Sequence, residues 1–350
     1  MSEFLKRHGY RNLRMGKASI LVDPRIVLAC AMMAIVLAVI AAASLSAGSF
    51  HLALPDLARA VFDPQAVGTE QRHVVWDIRL PRIAMALLCG AMLGLSGAAM
   101  QSITRNGLAD PGLIGVKEGA AVMVLSLVIL APQVGIVWRP LVGMIGGLVT
   151  ATIVVVIARD MSRVRFILIG IGVSWLFSAA IAIFMTTANI RDVQTALIWL
   201  SGSLHAATWP LVIIASIWGC IGAIVLFATA RASDVALLGN HTATGLGVNL
   251  PVLAFLRFLA PVVLTAASVS CVGSLGFVGL VAPHIARFLI GGNQMALLVS
   301  SALSGAALVF LADTIGRLAF APLQIPAGIV MSMLGVPFFL ILLWRRRDQL

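Results

Sequence analysis

Apolar runs of membrane-spanning length constrain this fold more than any other feature of the sequence. The first covers residues 26–47, and similar runs recur to residue 344. With 61% hydrophobic and 11% charged residues, the chain lacks the polar surface of a soluble domain. Because lipid offers the backbone no hydrogen-bond partners, spanning segments must satisfy their own amides. The sequence therefore predicts an all-α polytopic membrane protein.

We expect about ten transmembrane helices, near residues 26–47, 83–103, 113–131, 140–158, 166–187, 210–230, 252–272, 275–290, 296–316 and 326–344. If the N-terminus is inside and the connections alternate between the two sides, sixteen Lys/Arg residues lie on inside segments and seven on outside segments. Positive charge accumulates on the cytoplasmic side of bilayers, so both termini are expected in the cytoplasm. The net charge of +11 is explained by this orientation, and we expect no nucleic-acid partner.

The expected organisation is a basic N-terminal tail, residues 1–25, followed by a single transmembrane domain, residues 26–347. A cleaved leader is the alternative for the first apolar run, because Ser44 to Ser46 imitates a cleavage site. The longest outside connection contains a predicted surface helix at residues 51–62, where an Asp precedes apolar residues at helical spacing.

The stretch GSLGFVGLVAPHIAR, residues 273–287, is unlike the rest of the chain. Three glycines and a proline make lipid-exposed helix unfavourable here. Irregular backbone at membrane depth persists only where protein covers it or where it lines a cavity. The simpler alternative is a kinked helix buried among others, with His284 and Arg287 at the end that is exposed to water.

The loop between the sixth and seventh spans, ASDVALLGNHTATGLGVN, predicts two short helices joined by glycine. Asp234 is a candidate cap for the first helix, and Gly239 is a candidate end. Helices this short have no core of their own, so the simpler interpretation of this segment is an interfacial loop.

No catalytic constellation is present: we find no phosphate-binding GxxxxGK[ST] loop, no HExxH and no nucleophile with a base. The six histidines are isolated in sequence, and the four cysteines lie in or beside apolar runs without metal-ligand spacing. We therefore expect no catalytic, cofactor-binding or metal site, and a chain that is not an enzyme.

Several motifs together resemble the FecCD-type permeases, the membrane subunits of ATP-binding-cassette (ABC) importers for iron-siderophore complexes, haem and vitamin B12. The motifs are the 273–287 stretch, RLPRIAMALLCGAMLGLSGAAMQ from Arg79, the NGLADPG turn, WLSGSL from Trp199, LADTIGRL from Leu311 and IPAGIVMSMLGVPFF from Ile325. Gly107, Lys117, Glu118 and Gln324 depart from the family pattern. Lys117 and Glu118 either reach the membrane interface or lie on a subunit interface or the transport path.

The resemblance implies the type II ABC importer architecture and alternating access at the interface of two permeases, identical or paralogous. It also implies two ATP-binding subunits, which hydrolyse the ATP, a soluble substrate-binding protein and a bacterial inner-membrane location. The implied coupling element, about residues 234–249, contains Asp234, Leu237, Leu238, Gly239, His241, Ala243, Leu246 and Gly247. Arg59 and Arg317 are the implied docking residues. Gly273, Gly276, Gly279, Pro283 and Ser174 are the implied path and gating residues.

A ferric siderophore is the expected cargo, with vitamin B12 or haem as alternatives. The rival from another class is a secondary transporter driven by an ion gradient, which requires intramembrane carboxylates that the spans mostly lack. A membrane-embedded enzyme is the remaining alternative and is disfavoured by the missing constellation.

Overall fold

The computed structural model describes residues 11–15, 18–22, 24–46, 54–63, 65, 67–131, 133–159, 164–290, 292–320 and 323–346. Two strands near the N-terminus, β1 (Arg11–Met15) and β2 (Ala18–Val22), pair antiparallel with Leu13 opposite Ile20. This hairpin falls inside the predicted basic tail. Residues 51–53 and 347, which the sequence predictions also included, lie outside the described ranges.

The rest of the described chain is helical. In order, its helices are α1 (Pro24–Ser46), α2 (Leu54–Phe62), α3 (Thr69–Thr104), α4 (Val116–Leu130), α5 (Arg139–Ala158), α6 (Val164–Thr187) and α7 (Ile190–Leu200). They continue with α8 (Trp209–Ala228), α9 (Ala230–Ala236), α10 (Asn240–Gly245), α11 (Leu250–Val272), α12 (Val278–Leu289), α13 (Gln294–Leu318) and α14 (Ala327–Arg346). The segment Val74–Arg79 inside α3 is π-helical.

Eight described helices are long and apolar enough to cross a bilayer: α1, α3, α5, α6, α8, α11, α13 and α14. At the other two predicted spans the helices are shorter, with 15 residues in α4 and 12 in α12. The α4 helix is shortened by the preceding turn, where Asp110 Oδ1 accepts from Gly112 N at 2.6 Å and Gly115 has a φ of +82°. Helix α7 was not predicted from the sequence.

Helix α3 forms the centre of the bundle and packs against α11, α12 and α13. Its glycines permit this, as the small-residue spacing predicts. A Cβ atom added at Gly90 would lie 2.3 Å from the Gly305 carbonyl oxygen, and one at Gly97 would lie 1.8 Å from the Gly279 carbonyl oxygen. The backbones therefore approach to a distance that no larger residue allows.

The periphery of the bundle is apolar and exposed. Only 6% of α1 and 17% of the apolar window in α6 are buried, against 72% in α3. Trp175 and Leu176 on α6 are exposed side chains on this surface. Large apolar side chains facing outward are stable in lipid, so this distribution matches a membrane-embedded bundle rather than a soluble one.

Candidate functional site

The bundle is interrupted between α11 and α12, at the stretch that the sequence singled out. Helix α11 ends at Val272, and residues 273–277 have no helical structure before α12 begins. Gly273 has a φ of +79° and Phe277 a φ of +64°, so the chain turns through left-handed backbone at both ends of the break. A Cβ atom at Gly273 would lie 1.8 Å from the Trp199 carbonyl oxygen, so only glycine fits this position.

Two other segments pack on this break and hold it. The loop after α7 places Gly202, with a φ of +74°, against Ser274, and the start of α14 places Gly328 against Ser201. Gly328 N donates to the Gly202 carbonyl oxygen at 3.0 Å. The irregular backbone is therefore covered by protein, which is the condition for its survival at membrane depth.

Gly276 borders both a partly enclosed pocket, called the cavity below, and a more open surface groove. The cavity has a volume of about 480 Å³ and is lined mainly by apolar side chains, including Phe166, Phe277 and Phe339, together with Asp110 and Lys117. The groove has a volume of about 610 Å³ and runs along α14 past Ser274 and Ser332. The break thus lies between a partly enclosed cavity and a more open groove.

The other predicted path residues are distributed differently. Gly279 and Pro283 are buried in α12, and Gly279 is the contact point with Gly97 of α3. Ser174 lies on α6, where its hydroxyl donates to the Gly170 carbonyl oxygen at 2.9 Å and packs beside Gly115. Gly273 and Gly276 form the break itself, whereas Gly279, Pro283 and Ser174 fix the helices around it.

The departures Lys117 and Glu118 lie at the start of α4. Lys117 lines the pocket beside Gly276. The Oε2 atom of Glu118 is buried and has no hydrogen-bond partner among the described residues. The two neighbouring charges therefore occupy different surroundings, as adjacent positions on a helix require.

The predicted coupling element consists of α9 and α10, joined by Gly239 with a φ of +107° and ended by Gly247 with a φ of +83°. Leu237, Leu238 and Leu246 are 53%, 66% and 64% exposed. His241 is also exposed, whereas Ala243 is fully buried. The two short helices thus present an apolar surface outward from the end of the bundle.

The sequence predicted that Asp234 caps its own helix, but in the structure it does not. Its Oδ1 atom accepts a hydrogen bond from Gln294 N at 2.9 Å, at the first turn of α13. Carboxylates are favourable at a helix N-terminus because the first amides lack partners. Asp234 therefore attaches the short helices to α13.

The opposite end of the bundle holds a second polar cluster. The sequence analysis did not predict that its members meet. Arg82 binds Asp313 through two nitrogens at 2.9 Å each, and its Nη1 donates to Gln324 at 2.9 Å. The uncharged Gln324 thus contributes a polar contact to this cluster. Arg82 is more than 200 positions away from both of its partners in the sequence, so no local sequence pattern reveals these contacts.

The two predicted docking residues differ in accessibility. Arg59 on α2 is 68% exposed at its side chain and lies 3.9 Å from Asp56. Arg317 is half-buried, and its Nη2 donates to the Ser44 hydroxyl at 2.6 Å. Arg59 is free to meet a partner, whereas Arg317 also fastens α13 to α1.

Comparison with known proteins identifies relatives over almost the whole chain. A sequence model of the FecCD transport family matches residues 35–345. The iron-uptake system permease protein FeuC of Bacillus subtilis is 35% identical over 319 residues, which is 87% of this chain and 93% of FeuC. The Fe(3+) dicitrate transport system permease protein FecD of Escherichia coli is 33% identical, over 85% of this chain and 94% of FecD.

Two further similarities extend this picture. The hemin transport system permease protein HmuU of Yersinia pestis is 33% identical, over 94% of this chain and 98% of HmuU. A solved structure described as an inward-facing conformation of a metal-chelate type ABC transporter superimposes with a TM-score of 0.79 and 29% identity. The superposition covers 90% of this chain and 98% of that one.

Proposed function

This chain belongs to the FecCD transport family and is an ABC-transporter permease, and from that premise we propose that its cargo is a ferric siderophore. The cargo is supported by similarity to permeases named for iron uptake, such as FeuC and FecD. The observation that carries the transport path is the glycine break at residues 273–277, with a partly enclosed pocket on one side and a more open groove on the other. Irregular backbone beside a cavity is how transporters form paths between helices.

The groove along α14 supports a path completed by a second permease subunit. It is open, it is lined by Gly276, Gly328 and Ser332, and small residues let a bulky chelate and a second helix surface approach closely. We propose that two copies, or this chain and a paralogue, face each other here and enclose the path. The pair would lie in the cytoplasmic membrane with both termini in the cytoplasm.

The exposed surface of α9 and α10 supports the attachment of two ATP-binding subunits. Leu238 and Leu246 would insert into a cleft of such a subunit, because apolar side chains this exposed gain free energy when a partner covers them. ATP would be hydrolysed by those subunits, since this sequence contains no phosphate-binding loop. Movement of α9 and α10 would reach the bundle through Asp234 and α13.

At the opposite end, a soluble binding protein would dock and release its ligand. Arg59 and Arg317 are the proposed contacts for acidic residues of that protein, and Arg59 is the more accessible of the two. Charge pairs at the rim of an interface chiefly steer association.

The test is an uptake assay with the permease and its co-expressed ATP-binding subunits in lipid vesicles. Labelled ferric siderophore should enter only with both ATP and the binding protein. Uptake that ignores ATP and follows a proton gradient would overturn the proposal in favour of a secondary transporter. A response to haem or vitamin B12 alone would replace the cargo and leave the machine unchanged; haem is the specific second candidate because HmuU is a hemin permease.

A further inference from the structure

A second, smaller cavity lies beneath α9 and α10 and plays no part in the proposed path. Its volume is about 220 Å³. Its walls come from the end of α3, both short helices and the start of α11, and they include Ser102, Arg105, Asn240, Leu253 and Arg257. It borders none of the residues of the glycine break, so its role is separate from that of the path.

Arg257 is the unusual member of this wall. It is only 2% exposed, although arginine is seldom buried without a partner for its charge. Its Nη2 donates to Gln294 Oε1 at 3.0 Å, but its Nη1 has no hydrogen-bond partner among the described residues. The described carboxylates form ion pairs elsewhere or none, and none lies within ion-pair distance of Arg257.

The Oδ1 atom of Asp234 accepts a hydrogen bond from Gln294 N rather than from the arginine. The buried guanidinium therefore retains an unused donor at Nη1. A buried donor without an acceptor is unfavourable, so an acceptor supplied from outside the chain is favoured at this position.

Arg105 provides a second cation at the same cavity. Its side chain is exposed, and its Nη2 donates to the Ala236 carbonyl oxygen at 3.2 Å, which holds the guanidinium beside α9. Two guanidinium groups on one cavity favour an anion with several oxygens, because arginine donors match phosphate geometry in pairs. The cavity is several times larger than the roughly 30 Å³ that one water occupies in the liquid, so it has room for such an anion.

We propose that this cavity binds one phosphate-class oxyanion between Arg257 and Arg105. The oxyanion comes either from the headgroup of an anionic phospholipid or from free phosphate. When bound, the oxyanion contacts side chains from α3, α9, α10 and α11, and it thereby fixes the short helices relative to the bundle. This inference concerns a site that the transport proposal does not use, and it stands or falls independently of the cargo.

The test uses the full-length chain in nanodiscs of phosphatidylcholine, with thermal unfolding followed while inorganic phosphate is added. A parallel sample contains phosphatidylglycerol as well, and native mass spectrometry counts the anionic lipids that remain bound. The variants are Arg257→Lys, which keeps the buried charge, and Arg105→Gln, which removes a charge at an exposed position. Arg165→Gln, an exposed arginine at the start of α6, is the matched control.

We expect the wild-type chain to be stabilised by phosphate or to retain one phosphatidylglycerol, with matched chloride ineffective. Each cavity variant should require at least about tenfold more ligand, the effect of losing one charge-assisted hydrogen bond. Arg165→Gln should behave as wild type. Retained lipid with no response to phosphate identifies the headgroup as the source, and a phosphate response without retained lipid identifies the free anion. Binding of neither, or equal binding by all variants, would overturn the site and leave a cavity filled with water.

Discussion

Arg82 and Asp313 form the bidentate ion pair that joins α3 to α13 at one end of the bundle. The side chains are 12% and 7% exposed, so both charges are largely withdrawn from water. By contrast, Asp56 and Arg59 are exposed and 3.9 Å apart. Exposed pairs contribute little, whereas removing one member of a buried pair leaves a charge without compensation.

We predict that Asp313→Asn lowers the free energy of unfolding in detergent by about 3 kcal/mol, because Arg82 is left unpaired. Asp56→Asn is the control and should change it by less than about 0.5 kcal/mol. Denaturant titration followed by tryptophan fluorescence provides the measurement. Replacing Arg82 and Asp313 together by leucine should cost less than the single change; an equal or larger loss would contradict the ion-pair explanation.

Glycine at position 97 is the second residue-level feature, since α3 and α12 touch there through backbone. We predict that Gly97→Ala lowers the free energy of unfolding by about 1–3 kcal/mol, because the added Cβ would lie 1.8 Å from the Gly279 carbonyl oxygen. Gly172→Ala on α6 is the matched control, with no atom within 4 Å of the new Cβ. It should be neutral or stabilising by up to about 1 kcal/mol, as expected for glycine replaced in a helix. Similar effects at both sites would refute close packing as the cause.

At the scale of elements, the short helices α9 and α10 are organised by contacts in two directions. Ala243 is fully buried and Asp234 binds the first turn of α13, so one side is fixed to the bundle. Leu238 and Leu246 are exposed on the other side. An element held on one side and apolar on the other is suited to transmit movement from a docked subunit.

We predict that Leu238→Glu abolishes the ATPase stimulation of the assembled transporter, because a carboxylate in an apolar cleft is strongly disfavoured. The permease alone should remain monodisperse with an unchanged melting temperature, since Leu238 is exposed in the isolated chain. Leu238→Met preserves apolar contact and should retain most of the stimulation. Normal coupled transport by Leu238→Glu would remove this leucine from the coupling surface.

At the scale of the whole molecule, charge and apolar area are segregated. The lipid-exposed helices α1 and α6 surround a central group of α3, α11 and α13. Polar clusters lie at the two ends, with Arg82 and Asp313 at one and Asp234, Gln294 and Arg257 at the other. In the proposed function, each end would meet a different partner, and the bundle between them would contain the path.

We predict that Arg59→Glu slows association with an acidic binding protein several-fold at low salt, and that the effect shrinks as salt rises above about 0.15 M. Arg317→Glu should also lower the melting temperature, because it removes the contacts with Ser44. Arg165→Glu at the other end is the control for net charge. Association rates measured by surface plasmon resonance that do not depend on Arg59 would exclude it from the docking surface.

The sequence by itself determined the all-α membrane architecture and the family, because hydropathy and glycine spacing are local properties of the chain. The glycine linkage of α9 and α10 and the break near Gly273 were predicted for the same reason, and the ABC-permease function is confirmed by relatives covering most of the chain. The sites assigned from the resemblance, including the docking arginines, stay predictions.

Only the tertiary structure decided which distant groups meet. Arg82 and Asp313 are 231 positions apart, and Asp234 and Gln294 are 60 apart, so their pairing depends on how the helices cross. The same holds for the shortened α4 and α12, for the packing of Gly202 and Gly328 on the break, and for the buried charge of Arg257. Periodicity specifies which face of a helix is apolar, but the side chain it meets is fixed by the packing of the whole bundle.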